Sequence, residues 1–350
     1  MHTTETIRVE AFDIPRTSSL VARPSRRDAP KKESKKETQK PEPSGTRAPI
    51  ATPPGHDDTN AEAVRAYRNW ADVEFYPRVI AKMREKYPVT VQAREIAGVY
   101  TEVISPEAGV PSANKNRVLI NLHAGGFTFG ARLCGQLESI PIASIAGIDV
   151  ISVDYRLAPE HKHPAAVEDV IAVYRELLKS YEPRNIGIFG SSAGALLTAQ
   201  AVFRTVKDNL PTPGAVAMLF AGATYWGEGD SAKWAAAIHG RTNIPDPKEH
   251  LYFQDVEDGD ATAFPLNSPE TLVHFPPSLL ISGGRDIALS SVIHTHARLT
   301  ASGVPAQLNV WEGVGHAFSL DFRLPQSEEL YATLVRFFDQ NLGRADLAGE

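Results

Sequence analysis

From Asn60 onward the chain switches between two hydrophobic periods. Val64, Tyr67, Ala71 and Phe75, then Val79, Ile80 and Met83, recur at the spacing of a helix face. Pro77 interrupts them, which predicts two helices before Pro88. Beyond Pro88, short apolar runs predict strands at Val89–Ile96, Val99–Ile104, Arg117–Leu122, Asp149–Val153, Ile186–Phe189, Ala215–Phe220, Ser278–Ile281 and Gln307–Trp311. Several are continuous rather than alternating, as central strands covered on both faces require. Val167, Ile171, Tyr174, Leu178 and Tyr181 form a helical stripe between them, and Leu330, Leu334, Phe337, Phe338 and Leu342 form another near the end. This alternation specifies an α/β fold with an eight-stranded, mostly parallel sheet and helices on both faces. Only Ala97 and Gly98 join the first two strands, so they are expected as an antiparallel hairpin at one edge.

Two segments break the rhythm. Residues 225–276 separate the sixth and seventh strands by far more than an ordinary connection and carry Trp226, Trp234, Tyr252, Phe253, Phe264 and Phe275. With the helices at 57–87 they are expected to form a helical cap over the carboxyl edge of the sheet. Residues 1–56 hold 11 Lys and Arg against 7 Asp and Glu, eight prolines and one aromatic residue, Phe12. Such a segment cannot bury enough apolar surface to offset its ordering entropy, so a disordered basic tail is expected there, with one folded domain over 57–350.

Composition narrows the class. A single cysteine, Cys134, excludes an intrachain disulfide scaffold. No apolar run approaches the length of a membrane span, and the first thirty residues lack a signal-peptide core, which points to a cytoplasmic protein. The net charge of −6 argues against a nucleic-acid binder.

The chemistry gathers at predicted strand ends. Gly190-Ser191-Ser192-Ala193-Gly194 fits the G-x-S-x-G elbow, lying between a predicted strand and the helix-like run from Ala195. Ser192 would be the nucleophile at the helix N-terminus. A serine hydroxyl needs a base, and the partners should follow in the order acid, then histidine. Asp286 follows the seventh strand and His316 the eighth, so parallel strands bring both to the edge holding Ser192. His316 would shuttle the proton, and Asp286 would hold its tautomer. After the third strand, His123-Ala124-Gly125-Gly126-Phe127 supplies a glycine loop. The N–H groups of Gly125, Gly126 and Ala193 are the candidate oxyanion donors. His123 itself is expected to anchor the loop.

These motifs, with Asp154-Tyr155-Arg156-Leu157-Ala158-Pro159-Glu160, resemble the hormone-sensitive-lipase-like branch of the α/β-hydrolases over roughly residues 60–343. More loosely, the chain is similar to the monoterpene lactone hydrolases of that branch. The resemblance implies a capped α/β-hydrolase fold and a carboxylesterase for short or medium acyl esters or lactones. It implies no metal or organic cofactor, and a homodimer is compatible with it. Three departures stand out. Ala124 replaces the first glycine of the usual loop, Ser191 and Ala195 flank the elbow, and Ile287-Ala288 replaces the usual Pro-Leu after the acid.

Other residues carry weaker signals. Cys134 is expected as a buried apolar residue, and Asp154–Glu160 as an ion-pair or turn element. His294 and His296 point to different helix faces, which disfavours a metal, and His161 and His163 are assigned to local packing. Two alternatives remain beside the serine esterase. One is a non-catalytic small-molecule receptor on the same scaffold, disfavoured by retention of Ser192, Asp286 and His316. The other is a transacylase or amidase using the same three residues.

Overall fold

The computed structural model describes residues 52–238 and 244–343. Most of the tail predicted to be disordered lies outside those residues. Eight strands form one sheet in the order β1-β2-β4-β3-β5-β6-β7-β8. They are β1 (Val89–Ile96), β2 (Val99–Pro106), β3 (Val118–Leu122), β4 (Val150–Val153), β5 (Ile186–Ser191), β6 (Ala215–Leu219), β7 (Ser278–Arg285) and β8 (Ala306–Gly315). β1 and β2 form the expected antiparallel hairpin, β2 also runs antiparallel to β4, and the other pairs are parallel.

Strand alternation divides the core into two layers. Val118, Ile120 and Leu122 of β3 face α4 (Ala165–Leu177) and α5 (Ala193–Lys207). Leu119 faces the opposite layer, with α2 (Tyr76–Lys86), α3 (Leu133–Ala146) and α9 (Pro325–Asn341). The central strands are buried along their whole length, which is why they read as continuous apolar runs.

Pro77 does not break the N-terminal helical segment. α1 (Ala61–Trp70) passes through one π-helical turn, Ala71–Phe75, into α2, and Pro77 sits in the first turn of α2. The π-helical turn just before it, where the Tyr76 N–H donates to the Ala71 carbonyl, shifts the hydrogen-bond register at the point where the proline supplies no N–H. Asn60 caps α1 by accepting from the N–H groups of Glu62 and Ala63.

The described residues belong to one compact unit. The insertion at 225–276 contributes α6 (Ser231–Ile238) and α7 (Pro269–Leu272); the described residues 244–268 are irregular apart from one 3₁₀ turn, Pro265–Asn267, and α8 (Leu289–Ala301) follows β7. Most of its aromatic side chains pack inward. Tyr252 stacks on Phe127 with ring centroids 4.3 Å apart, and Phe253 meets the same ring edge-on at 5.3 Å. The insertion therefore braces the loop after β3, and Trp226 is its aromatic contribution to the cleft wall.

Candidate active site

Parallel register brings the functional residues together. Leu122 of β3 pairs with Gly190 of β5, so His123 and Ala124 emerge beside Ser191 and Ser192. On the other side, Arg285 of β7 pairs with Gly315 of β8, so Asp286 and His316 emerge as neighbours. Both strands run past their sequence-predicted ends, because each continues to find a partner in the other.

Ser192 sits at φ +54°, ψ −115°, immediately before α5. Such a backbone costs a non-glycine residue roughly 1–3 kcal/mol and persists only where its surroundings impose it. Here the chain must pass close beneath β3. A Cβ on Gly194 would lie 1.8 Å from the Leu122 carbonyl oxygen, and one on Gly190 would lie 2.3 Å from that of Gly194. Both elbow glycines answer that crowding. The Ser192 N–H donates to the Leu219 carbonyl at 2.7 Å, pinning the elbow to β6.

The Ser192 hydroxyl lies 2.8 Å from His316 Nε2, and His316 Nδ1 lies 2.7 Å from Asp286 Oδ1. Asp286 is fully buried. Its carboxylate also accepts the Ser282 hydroxyl on Oδ2 and the Ala288 N–H on Oδ1, each at 2.8 Å. These donors compensate its burial, and they hold Oδ1 toward the imidazole. The departure after the acid therefore leaves the turn intact: Ala288 supplies an N–H regardless of its side chain.

The glycine loop lies across the cleft from His316. Gly125 adopts φ +128°, and a Cβ there would meet the Phe129 carbonyl oxygen at 2.0 Å. His123 is buried, stacks on Tyr155 at 4.1 Å and donates through Nδ1 to the Ala124 carbonyl at 2.7 Å. Burial pushes its pKa down, keeping the ring neutral in its anchoring role. From α1, Arg68 donates to the carbonyls of Thr128 and Ala158 and pairs with Glu160 at 2.9 Å. Asp58 accepts the Thr128 hydroxyl at 2.5 Å.

A cavity of about 350 Å³ opens above Ser192. Tyr67, Phe75, Tyr76, Phe129, Trp226 and Leu320 give it apolar walls, while Gly125, Gly126 and His316 supply polar groups at the reacting end. His56 also lines it and pairs with Asp58 at 2.9 Å. The compositional boundary at residue 56 thus assigns a cleft residue to the tail.

The remaining candidates take up other tasks. Cys134 is buried at the cavity floor, where burial pushes its thiol well above the ordinary value. Asp154 pairs with Arg132 at 3.2 Å, and Arg156 with Asp169 at 2.9 Å. His294 pairs with Glu228, and His163 contacts Thr262. Among the described residues no cluster of His, Cys, Asp and Glu could hold a metal ion, and no helix is long and apolar enough to cross a membrane.

Sequence reasoning passed over Asp58, His250, Ser282 and Glu138. Only Glu138 had a visible signal: it is the sole charged residue between Arg132 and Asp149. A lone charge in so apolar a helix calls for buried partners.

A family profile described as alpha/beta hydrolase fold matches residues 119–320. An esterase of Acinetobacter venetianus is 25% identical over 255 residues, covering 71% of this chain and 82% of that protein. Esterase LipU of Mycobacterium tuberculosis is 28% identical over 229 residues, covering 63% and 76%. Among solved structures, esterase E25 superposes with a TM-score of 0.74 at 31% identity, over 81% of this chain and 87% of that one. An esterase of the bacterial hormone-sensitive lipase family gives 0.72 at 27% identity, over 84% and 94%.

Proposed function

Because this chain belongs to the α/β-hydrolase family, in its hormone-sensitive-lipase-like branch, and is a carboxylic-ester hydrolase, we propose that it cleaves short-to-medium acyl esters through an acyl-enzyme on Ser192. The observation that carries this reading is the continuous hydrogen-bonded chain from Ser192 through His316 to buried Asp286, set in a strained elbow facing the glycine loop.

The proposed reaction uses these groups in turn. Ser192 Oγ bonds to the ester carbonyl carbon while its proton passes to His316 Nε2. The carbonyl oxygen becomes an oxyanion facing the N–H groups of Gly125, Gly126 and Ala193. Asp286 holds the Nδ1 proton in place and stabilises the imidazolium. Collapse breaks the bond to the alcohol, which leaves with the proton from His316. Water then bonds to the acyl carbon while passing a proton to the same nitrogen, and collapse breaks the bond to Ser192 Oγ, which recovers that proton from His316 as the acid leaves.

Substrate size follows from the cavity, whose volume lies at the small end of ligand pockets. Its aromatic walls suit a compact apolar acyl or alcohol group. Lactones are cyclic esters open to the same attack and belong in the substrate panel. Nitrophenyl esters of rising chain length, run beside lactones, test the reading together with Ser192→Ala. Short and medium chains should turn over best. The folded Ser192→Ala variant should lose roughly 10⁴–10⁶-fold in kcat. A folded variant retaining a tenth of the activity removes Ser192 from the mechanism, and a preference for long-chain triglycerides overturns the size assignment.

A further inference from the structure

Glu138 is buried on α3, and its partners are set by strand alternation. Asn121, Ser152 and Ser191 stand on the α3 face of β3, β4 and β5, in the same layer as Leu119, Val150 and Phe189. One turn before Glu138, Gly135 lets the helix lie close on the sheet, for a Cβ there would meet Ser152 Oγ at 2.1 Å. Glu138 Oε2 then accepts from Asn121 Nδ2 at 2.9 Å, while Asn121 Oδ1 accepts the Ser152 hydroxyl at 3.2 Å. Glu138 Oε1 accepts the Ala124 N–H at 2.9 Å, with Cys134 Sγ at 3.8 Å. The Ser191 side chain also approaches the carboxyl group.

The bond to Ala124 matters because of where that peptide sits. In the His123–Ala124 peptide, the carbonyl accepts the Tyr155 hydroxyl at 2.7 Å and the N–H donates to Glu138. In the next peptide, the Ala124 carbonyl accepts from His123 Nδ1. A trans peptide is planar, so holding that carbonyl toward His123 aims the Gly125 N–H the opposite way. Glu138 therefore grips the peptide immediately before the one that carries a candidate oxyanion donor, while reaching the residue before the nucleophile. Its hydrogen-bond partners are neutral, so burial raises its pKa to about 7, a cost that an apolar side chain would avoid.

We propose that Glu138 is a positioning residue for acyl transfer, fixing the oxyanion loop through Ala124. The proposal rests on the acyl-enzyme reading above. Its test compares Glu138→Leu and Glu138→Gln with the wild-type chain on nitrophenyl butyrate, with rates normalised to sites titrated by a fluorophosphonate. Binding of a trifluoromethyl ketone, which forms a tetrahedral adduct with the serine, is measured in parallel.

Glu138→Leu should lower kcat on the order of 10²-fold, the scale of one lost oxyanion donor, with KM within about twofold. Ketone affinity should fall by the same factor as kcat. Glu138→Gln keeps an acceptor for Ala124 but turns an amide toward the Asn121 donor. It should recover to roughly three- to tenfold below wild type in both readouts. A purely structural role would instead leave kcat per titrated site and ketone affinity unchanged in the folded variants, and that result overturns the proposal. Should Glu138→Leu fail to fold, the ketone affinity of Glu138→Gln decides alone: weakened supports the proposal, unchanged sinks it. Ser192→Ala separates the two levels of inference. If that variant stays active the acyl-enzyme reading fails, whereas an inactive Ser192→Ala beside unaffected Glu138 variants removes only the role of Glu138.

Discussion

Replacing Asp286 by asparagine separates two jobs of the buried acid that are usually lost together. The carboxylate supplies a negative charge opposite the imidazolium and also fixes which imidazole nitrogen carries the proton. Here the two oxygens have different neighbours. Oδ1 receives both the Ala288 N–H and His316 Nδ1, whereas Oδ2 faces only the Ser282 hydroxyl. In Asp286→Asn the amide oxygen should therefore stay at the Oδ1 position, because an NH₂ group there would meet the Ala288 donor. The Ser282 hydroxyl can rotate and accept from the amide. The imidazole tautomer survives and only the charge is lost. With charge centres about 4 Å apart and an effective dielectric near ~20, that charge is worth up to about 4 kcal/mol, and at least about 2 kcal/mol as a charge-assisted hydrogen bond. Rates should fall roughly 30- to 1,000-fold, against the ~10⁴-fold cost of a wrong tautomer. The assay is kcat for nitrophenyl butyrate on folded Asp286→Asn and Asp286→Ala, with a third variant combining Asp286→Asn and Ser282→Val. The single asparagine variant should exceed the alanine variant by at least tenfold. The added Ser282→Val removes the acceptor for the amide and should erase that advantage. Equal rates for Asp286→Asn and Asp286→Ala would refute the assigned orientation.

Three further perturbations probe other parts of the site. Gly125→Ala should cost on the order of 10²–10³ in kcat, since its Cβ would lie 2.0 Å from the Phe129 carbonyl oxygen, while a Gly126→Ala methyl 3.1 Å from Asp58 should cost less; steady-state kinetics showing the reverse order would contradict the loop geometry. Glu138 has its folded pKa raised to about 7 from an ordinary value of 4.5, so the folded state binds its proton more tightly and stability falls as pH rises through that window. Relative to Glu138→Gln, the wild-type chain should lose roughly 3 kcal/mol between pH 4.5 and 8 in urea titrations, and a difference independent of pH would contradict the burial argument. Removing residues 1–48 should leave kcat/KM within about twofold, whereas removing residues 1–56 takes away His56 and its contacts with Asp58, Tyr67 and Phe129. The longer deletion should raise KM several-fold, and identical kinetics for the two truncations would remove His56 from the cleft wall.

Legibility in the sequence followed the reach of the forces involved. Central strands were readable because burial on both faces leaves continuous apolar runs such as Val118–Leu122. Ser192, Asp286 and His316 could be gathered on one edge because parallel strands end together, and the structure brings them within hydrogen-bonding distance. The ends of β7 and β8 were set short, since their extra pairing depends on a partner rather than on local composition. Pro77 looked like a break because a proline ordinarily ends or kinks a helix, and local sequence does not show that a π-helical turn carries the segment past it. The aromatic residues of the insertion suggested a roof, yet Tyr252 and Phe253 pack on Phe127 instead. Hydrophobicity shows that a ring is buried, not which surface buries it.

The same packing ties substrate binding to catalysis. The glycine loop proposed to hold the oxyanion has no regular hydrogen-bond ladder to fix its backbone, so its shape must be imposed from outside. Arg68 on α1 holds the carbonyls of Thr128 and Ala158, and Asp58 holds the Thr128 hydroxyl. From the insertion, Leu251 N–H donates to the Asp58 carbonyl at 3.0 Å. His250 accepts the Tyr252 N–H on Nδ1, which leaves its proton on Nε2, facing Asp58 and the Gly126 backbone. Four of the residues walling the cavity, Tyr67, Phe75, Tyr76 and Trp226, thus come from the same two segments that shape the loop. Opening either segment to admit a larger substrate would release supports of the oxyanion donors along with the wall. Such coupling charges a bulky ester twice, once in lost contact and once in transition-state stabilisation, so discrimination by size should appear in kcat as well as in KM.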